Sequence, residues 1–75
     1  MTKFDVQIEW DGDAAVWVAF SDTLPGFALE AADMDTLRKR SCALAAELIE
    51  LNHVPIDKDG ASIRFPAGEE IRVAA

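Results

Sequence analysis

Ala15-Val16-Trp17-Val18-Ala19-Phe20-Ser21-Asp22-Thr23-Leu24-Pro25-Gly26-Phe27-Ala28-Leu29-Glu30-Ala31 is the stretch that decides the fold, because it sets two β-forming runs on either side of a turn of defined shape. In Leu24-Pro25-Gly26-Phe27 proline presets the second turn position and glycine supplies the third, the arrangement a type II turn requires. Upstream, Ala15 to Ser21 is rich in Val, Trp and Phe and reads as a strand. Val16, Val18 and Phe20 fall on one of its faces, with Ala15, Trp17 and Ala19 on the other. A strand apolar on both faces is covered twice, either inside the domain or against another subunit. Downstream, Phe27 to Ala31 makes the next strand, with Phe27, Leu29 and Ala31 inward and Glu30 outward.

Working towards the amino terminus, Phe4, Val6, Ile8 and Trp10 alternate with Asp5, Gln7 and Glu9, which predicts one strand with a single face in the core. Asp11-Gly12 suits the positive backbone angles of a tight hairpin turn into the following strand. Towards the carboxyl terminus, Asp33 is placed to cap a helix, with Asp35 adding favourable charge at the positive end of its dipole. Met34, Leu37, Ser41, Leu44, Ala45, Leu48 and Leu51 recur at three- and four-residue spacing, predicting an amphipathic helix of about five turns. Asn52 can stop it and Pro55 prevents continuation. Ala61 to Phe65 and Glu70 to Val73, separated by Pro66-Ala67-Gly68, read as a second hairpin. A lone helix must lay its stripe across one face of an antiparallel sheet. The expected class is therefore α+β in two layers: a three-stranded antiparallel sheet, one helix packed on it, and a short terminal strand pair. The other sheet face has no helix to cover it.

At 75 residues the chain is one domain, residues 1–75, and at 51% hydrophobic and 28% charged it has enough apolar surface to fold. Fourteen acids against seven Lys and Arg give a net charge of -7, which argues against direct nucleic-acid binding, since phosphate contacts need a cationic surface. The excess is not spread evenly. Residues 1–35 hold eight acids (Asp5, Glu9, Asp11, Asp13, Asp22, Glu30, Asp33 and Asp35) against Lys3 alone, whereas residues 36–75 are neutral. A one-signed half steers encounter with a partner of opposite sign, although it also serves plain solubility. A single cysteine excludes an internal disulfide, the amino terminus lacks a signal-peptide pattern, and the longest apolar run, Ala14 to Phe20, is far short of the roughly 18 residues of a membrane span. The expectation is a cytoplasmic chain with no membrane partner.

Catalytic constellations are not found. His53, the one histidine, lies just past the helix with no serine or cysteine at motif spacing, and Cys42 sits at the edge of the leucine stripe with no base nearby. Asp5 and Glu9 share a strand face but lie about 13 Å apart, too far to share a metal directly. Asp11 and Asp13 flank Gly12 without the remaining ligands of a calcium loop. Arg38-Lys39-Arg40 points in three directions around a helix and makes no phosphate-binding stripe. No catalytic residue, metal or cofactor is therefore expected. Trp17, alternating away from Val16 and Val18, serves either the core or an interface, where tryptophan is enriched.

The run Trp17 to Ala31, followed by a capped helix ending Ala46-Glu47-Leu48-Ile49-Glu50-Leu51-Asn52, resembles a small bacterial family of unknown function grouped with the HicB-like antitoxin domains. The resemblance covers essentially the whole chain. Its most specific part is the order strand, Asp, Leu-Pro-Gly, strand and Asp-capped helix. It implies a truncated ribonuclease H fold without that fold's nuclease chemistry. It further implies a non-enzymatic protein-binding module, similar to antitoxins that cover a small basic ribonuclease toxin. Many such antitoxins carry a carboxy-terminal DNA-binding unit, and the residues after Asn52 contain no second helix to supply one. Glu9, Asp11, Asp13, Trp17, Asp22 and Glu30 are the candidate partner-binding residues, with Leu24, Pro25 and Gly26 as the structural turn and Asp33 as the helix N-cap. The alternative is a structural or regulatory homo-oligomer, dimer or tetramer, with no toxin partner.

Overall fold

In the computed structural model, residues 1–74 are described. The elements run β1 (Thr2–Asp5), β2 (Gln7–Asp11), β3 (Val16–Phe20), β4 (Ala28–Ala31), α1 (Met34–Leu51), β5 (Ala61–Arg64) and β6 (Glu70–Ala74). They form two three-stranded sheets, ordered β2-β3-β4 and β1-β5-β6, with α1 against them, so the class is α+β as the periodicities predict. The first sheet is an antiparallel meander. In the second, β1 runs parallel to β5, and β5 pairs antiparallel with β6. The terminal hairpin is thus tied to the amino-terminal strand.

The single strand expected over Phe4 to Trp10 is interrupted at Val6. Val6 donates its N–H to the carbonyl of Arg64 at 2.9 Å, the last bond to β5, and from Gln7 onward the chain pairs with β3 instead. One run of alternating residues therefore serves two sheets. Phe4 and Val6 are buried, Ile8 is half-buried, and Trp10 is 52% exposed, so the inward face fades towards the hairpin tip.

That tip also differs from the sequence expectation. Asp11 pairs with Val16, leaving a four-residue loop, and the positive φ falls on Ala15 (55°), not on Asp11 or Gly12. The Asp11 carboxylate holds the loop by accepting from the N–H groups of Asp13 (3.1 Å) and Ala14 (3.2 Å), a side-chain turn that a tight two-residue hairpin would not need. The second turn follows expectation. Gly26 has φ 81° and Phe27 N–H reaches the Leu24 carbonyl at 3.2 Å. Leu24 and Phe27 are buried on either side of it, and Gly26 lies under Leu48 of the helix, fixing the turn to the second layer.

Asp33 caps α1 as expected, one carboxylate oxygen accepting from Thr36 N–H at 2.8 Å and the other from Thr36 Oγ1 at 2.9 Å. Asn52 is the C-cap, and the chain leaves through His53 at φ 49°. His53 N–H to Glu50 O and Val54 N–H to Ile49 O make a Schellman ending, so His53 occupies the left-handed position usually given to glycine. The buried face is Leu37, Ser41, Ala45 and Ile49, rotated from the expected stripe so that Leu51 is 66% exposed. α1 comes closest to β3, β4 and β6. Phe4, Val6, Ile63 and Phe65 join it in one core.

Ser41 is fully buried and its hydroxyl has no hydrogen-bond partner among the described residues. An orphaned buried hydroxyl costs about 1 kcal/mol or more, and alanine is the better helix former. Ser41→Ala is expected to stabilise the fold by about 1 kcal/mol in urea unfolding, with the m-value unchanged. Hydrogen bonds from Thr36 N–H, then from its hydroxyl, hold the Asp33 carboxyl below its ordinary range. With the folded pKa depressed, its contribution is present above the unfolded value and lost as pH falls through the folded one. Asp33→Ala should lower the thermal midpoint at neutral pH, with the difference from wild type closing below the ordinary carboxylate range.

Candidate interaction surface

Strand register divides the side chains of the meander between two faces. Ile8, Trp17, Leu29, Ala19 and Ala31 belong to the core or pack against it, on the side of α1. Val16, Val18 and Phe20 are half-buried and contribute nothing to that core, so they form an apolar line along β3 on the outer face. Glu9 and Glu30 flank Val18 from β2 and β4, Asp11 stands beside Val16, and Gln7 and Ala28 flank Phe20. Among the described residues no helix covers this side.

Of the eight acids in residues 1–35, three meet a cation or a helix terminus. Asp5 pairs with Arg64 at 2.9 Å, Asp33 caps α1, and Asp35 lies 3.5 Å from Arg38. Glu9, Asp11, Asp13, Asp22 and Glu30 make no ion pair among the described residues. Four of these five gather on the outer face. Glu9, Asp11 and Glu30 lie there by register, and Asp22 is drawn to its end by accepting from the Gln7 amide at 3.2 Å. Asp13 stands in the hairpin loop beyond Asp11.

Trp17, grouped with these acids in the sequence reading, is placed on the opposite face. It packs against the core, and its ring lies 5.0 Å from that of Trp10 at an interplanar angle of 59°. The residues that complete the outer face, Val16, Val18 and Phe20, are legible in the sequence as one side of a doubly apolar strand.

The acids of the carboxyl-terminal half are mostly engaged. Lys3 meets Glu70 at 3.4 Å, and Arg38 Nε meets Glu69 at 2.9 Å. The Ser62 hydroxyl, then Lys3, holds the Glu70 carboxyl below its ordinary range. Burial, with Glu69 nearby, pushes the Cys42 thiol up, the wrong direction for a nucleophile. His53 is exposed at the end of α1. No helix among the described residues is long and apolar enough to cross a membrane.

A family described as a domain of unknown function, DUF1902, matches residues 3–74. The chain belongs to this family. Its fold is also similar to the crystal structure of a hypothetical protein from the extremely thermophilic bacterium Thermus thermophilus, at 40% identity and a TM-score of 0.76, covering 84% of this chain and 87% of that one. A search of curated proteins finds no match. The match across residues 3–74 takes in both the meander and the terminal hairpin, so the DUF1902 unit includes the strand shared between sheets.

Unpaired like charges on one face cost stability through repulsion. Replacing Glu9 and Glu30 together by Gln should raise the thermal midpoint by about 2 °C at low ionic strength, a few tenths of a kcal/mol, and the gain should vanish in high salt.

Proposed function

We propose that this DUF1902 chain is a non-enzymatic protein-binding module whose outer sheet face takes a cationic polypeptide, in the manner of the toxin-neutralising domain of HicB-type antitoxins. The observation that carries this reading is the row Glu9, Val18, Glu30 across the meander, an apolar centre between two carboxylates without ion pairs. A surface of this kind offers area for burial and two unneutralised acceptors for Lys or Arg, the charge-assisted bonds that set on-rate and register. Asp11 and Asp22 extend the acidic border at either end. Strand, Leu-Pro-Gly turn, strand and Asp-capped helix stand in the order on which the HicB-like resemblance rests. The raised pKa of the Cys42 thiol and the position of His53 at a helix terminus favour binding over catalysis. A small basic ribonuclease toxin is the partner that the resemblance implies.

Co-purification at low salt with the product of a short basic open reading frame abutting this gene tests the reading. A complex is expected whose affinity falls steeply with salt and which Glu9→Lys with Glu30→Lys abolishes while the far-UV spectrum is retained. Failure to form any complex at low salt removes the antitoxin-like role.

A further inference from the structure

From Thr2 to Asp11, alternation fixes which side of the strand each main-chain group serves. Val6 N–H goes to the Arg64 carbonyl on β5, so the N–H and C=O groups of Ile8 and Trp10 point to that same side, while those of Gln7, Glu9 and Asp11 point to β3. β5 does not follow them. It ends at Arg64, Phe65 N–H turns to the Glu69 carbonyl at 2.8 Å, and Pro66 has no N–H with which to lengthen the ladder. β2 is therefore an edge strand of its sheet, and beside it a cleft of about 250 Å³ opens between Ile8, Met34, Arg38, Phe65, Pro66 and Ala67. Two other edges are blunted. On β4 the Glu30 carbonyl accepts from Arg40 at 3.1 Å, and on β1 the Asp5 N–H is taken by the Thr23 hydroxyl at 2.9 Å. Among the described residues no side chain does the same for Ile8 or Trp10.

We propose that the cationic partner adds an extended segment to this open edge of β2, its basic side chains alternating with apolar ones. This rests on the outer face taking a cationic polypeptide, and it supplies the backbone recognition that a charged face alone lacks. An added strand takes its hydrogen bonds from the main chain of Ile8 and Trp10 and its side-chain pattern from the two faces of β2. Residues beside Ile8 and Trp10 turn to the helix side, where the apolar cleft and the half-exposed indole receive apolar side chains. The size fits, since a cavity of about 150 Å³ already holds benzene. Residues between them turn to the outer side next to Glu9, whose carboxylate has no ion pair among the described residues, so Lys or Arg belongs there. One strand thus meets the backbone, the cleft and the charge together. A second copy of β2 meets the backbone but not the charge. Paired strands keep opposite residues on one face, which would line Glu9 and Asp11 of both copies side by side.

A synthetic peptide of about seven residues alternating Lys and Val, with blocked termini and long enough to span β2, tests this on the intact chain. Titrated at low salt and followed by NMR amide hydrogen exchange, it is expected to slow exchange of the Ile8 and Trp10 N–H groups about tenfold or more. N-methylating every second residue of the peptide removes the donors from one of its two edges. One methylated set should abolish binding and the other should leave it, since a single edge meets β2. Glu9→Gln should weaken binding about tenfold, the scale of one charge-assisted bond, and Glu30→Gln, about 14 Å from the added strand, less than about twofold. Binding that leaves Ile8 and Trp10 exchange unchanged, that ignores both methylated sets, or that falls equally in the two variants overturns strand addition and leaves the cationic face standing. A peptide that does not bind at all also overturns strand addition, whereas the antitoxin-like role falls only if co-purification yields no complex.

Discussion

The hydrogen bond from Val6 N–H to the Arg64 carbonyl, 2.9 Å, marks the point on which the architecture turns. Up to it the chain pairs in parallel with β5, and beyond it in antiparallel with β3. Twisted strands cannot stay in one flat sheet for long, and at Val6 this strand passes from one sheet to the other. The terminal hairpin is held to the meander by this shared strand, so residues far apart in sequence close one core around Phe4, Val6, Ile63 and Phe65. The cost appears at the far end. A single 18-residue helix bridging β3, β4 and β6 does not extend over β2, and Trp10 and the neighbouring cleft are the surface left over.

The acidity of the chain resolves the same way, by position. Asp33 and Asp35 act at the helix N-terminus, and Asp5 reaches across to Arg64 from the neighbouring strand. These placements oppose each carboxylate with a donor, a cation or a dipole. Glu9 and Glu30 have no such reason to be where they are. They flank Val18 on both sides, where neutral polar residues would keep the face hydrated with less repulsion. Exposed salt bridges contribute little to stability, so the pairing of acids elsewhere is weak evidence of function. The placement of unpaired ones beside half-buried apolar residues is stronger.

Much of this was legible beforehand, for identifiable reasons. Leu24-Pro25-Gly26-Phe27 allowed one local solution, and Gly26 adopts it. Asp33 had a free first turn to cap. The alternation in β3 correctly separated Val16, Val18 and Phe20 from Trp17 and Ala19, yet the sequence reading grouped Trp17 with the acids because charge and aromaticity were weighed without register. The break at Val6 was hidden because the period-two pattern runs on unchanged while the pairing partner switches, and periodicity reports facing, not partnership. Ala15 and His53 were missed as left-handed positions because neither residue type signals one. The rotation of the helix face, Ile49 in and Leu51 out, reflects the buried residues Leu37, Ser41, Ala45 and Ile49, whose four-residue spacing drifts round the helix towards Ile49 and away from Leu51.

Fold alone does not assign function, and membership of DUF1902 names none. What the molecule itself supplies is a sheet with two differently charged faces. On the helix side, Arg38 pairs with Glu69 and Asp35 beside a cleft whose other walls are aromatic and aliphatic. On the outer side, the apolar line is bordered by acids with no counter-ion among the described residues. A face of the second kind repels its own copy and attracts a cation. One hairpin presents both faces, since Glu9 and Trp10 are consecutive residues pointing to opposite sides of β2.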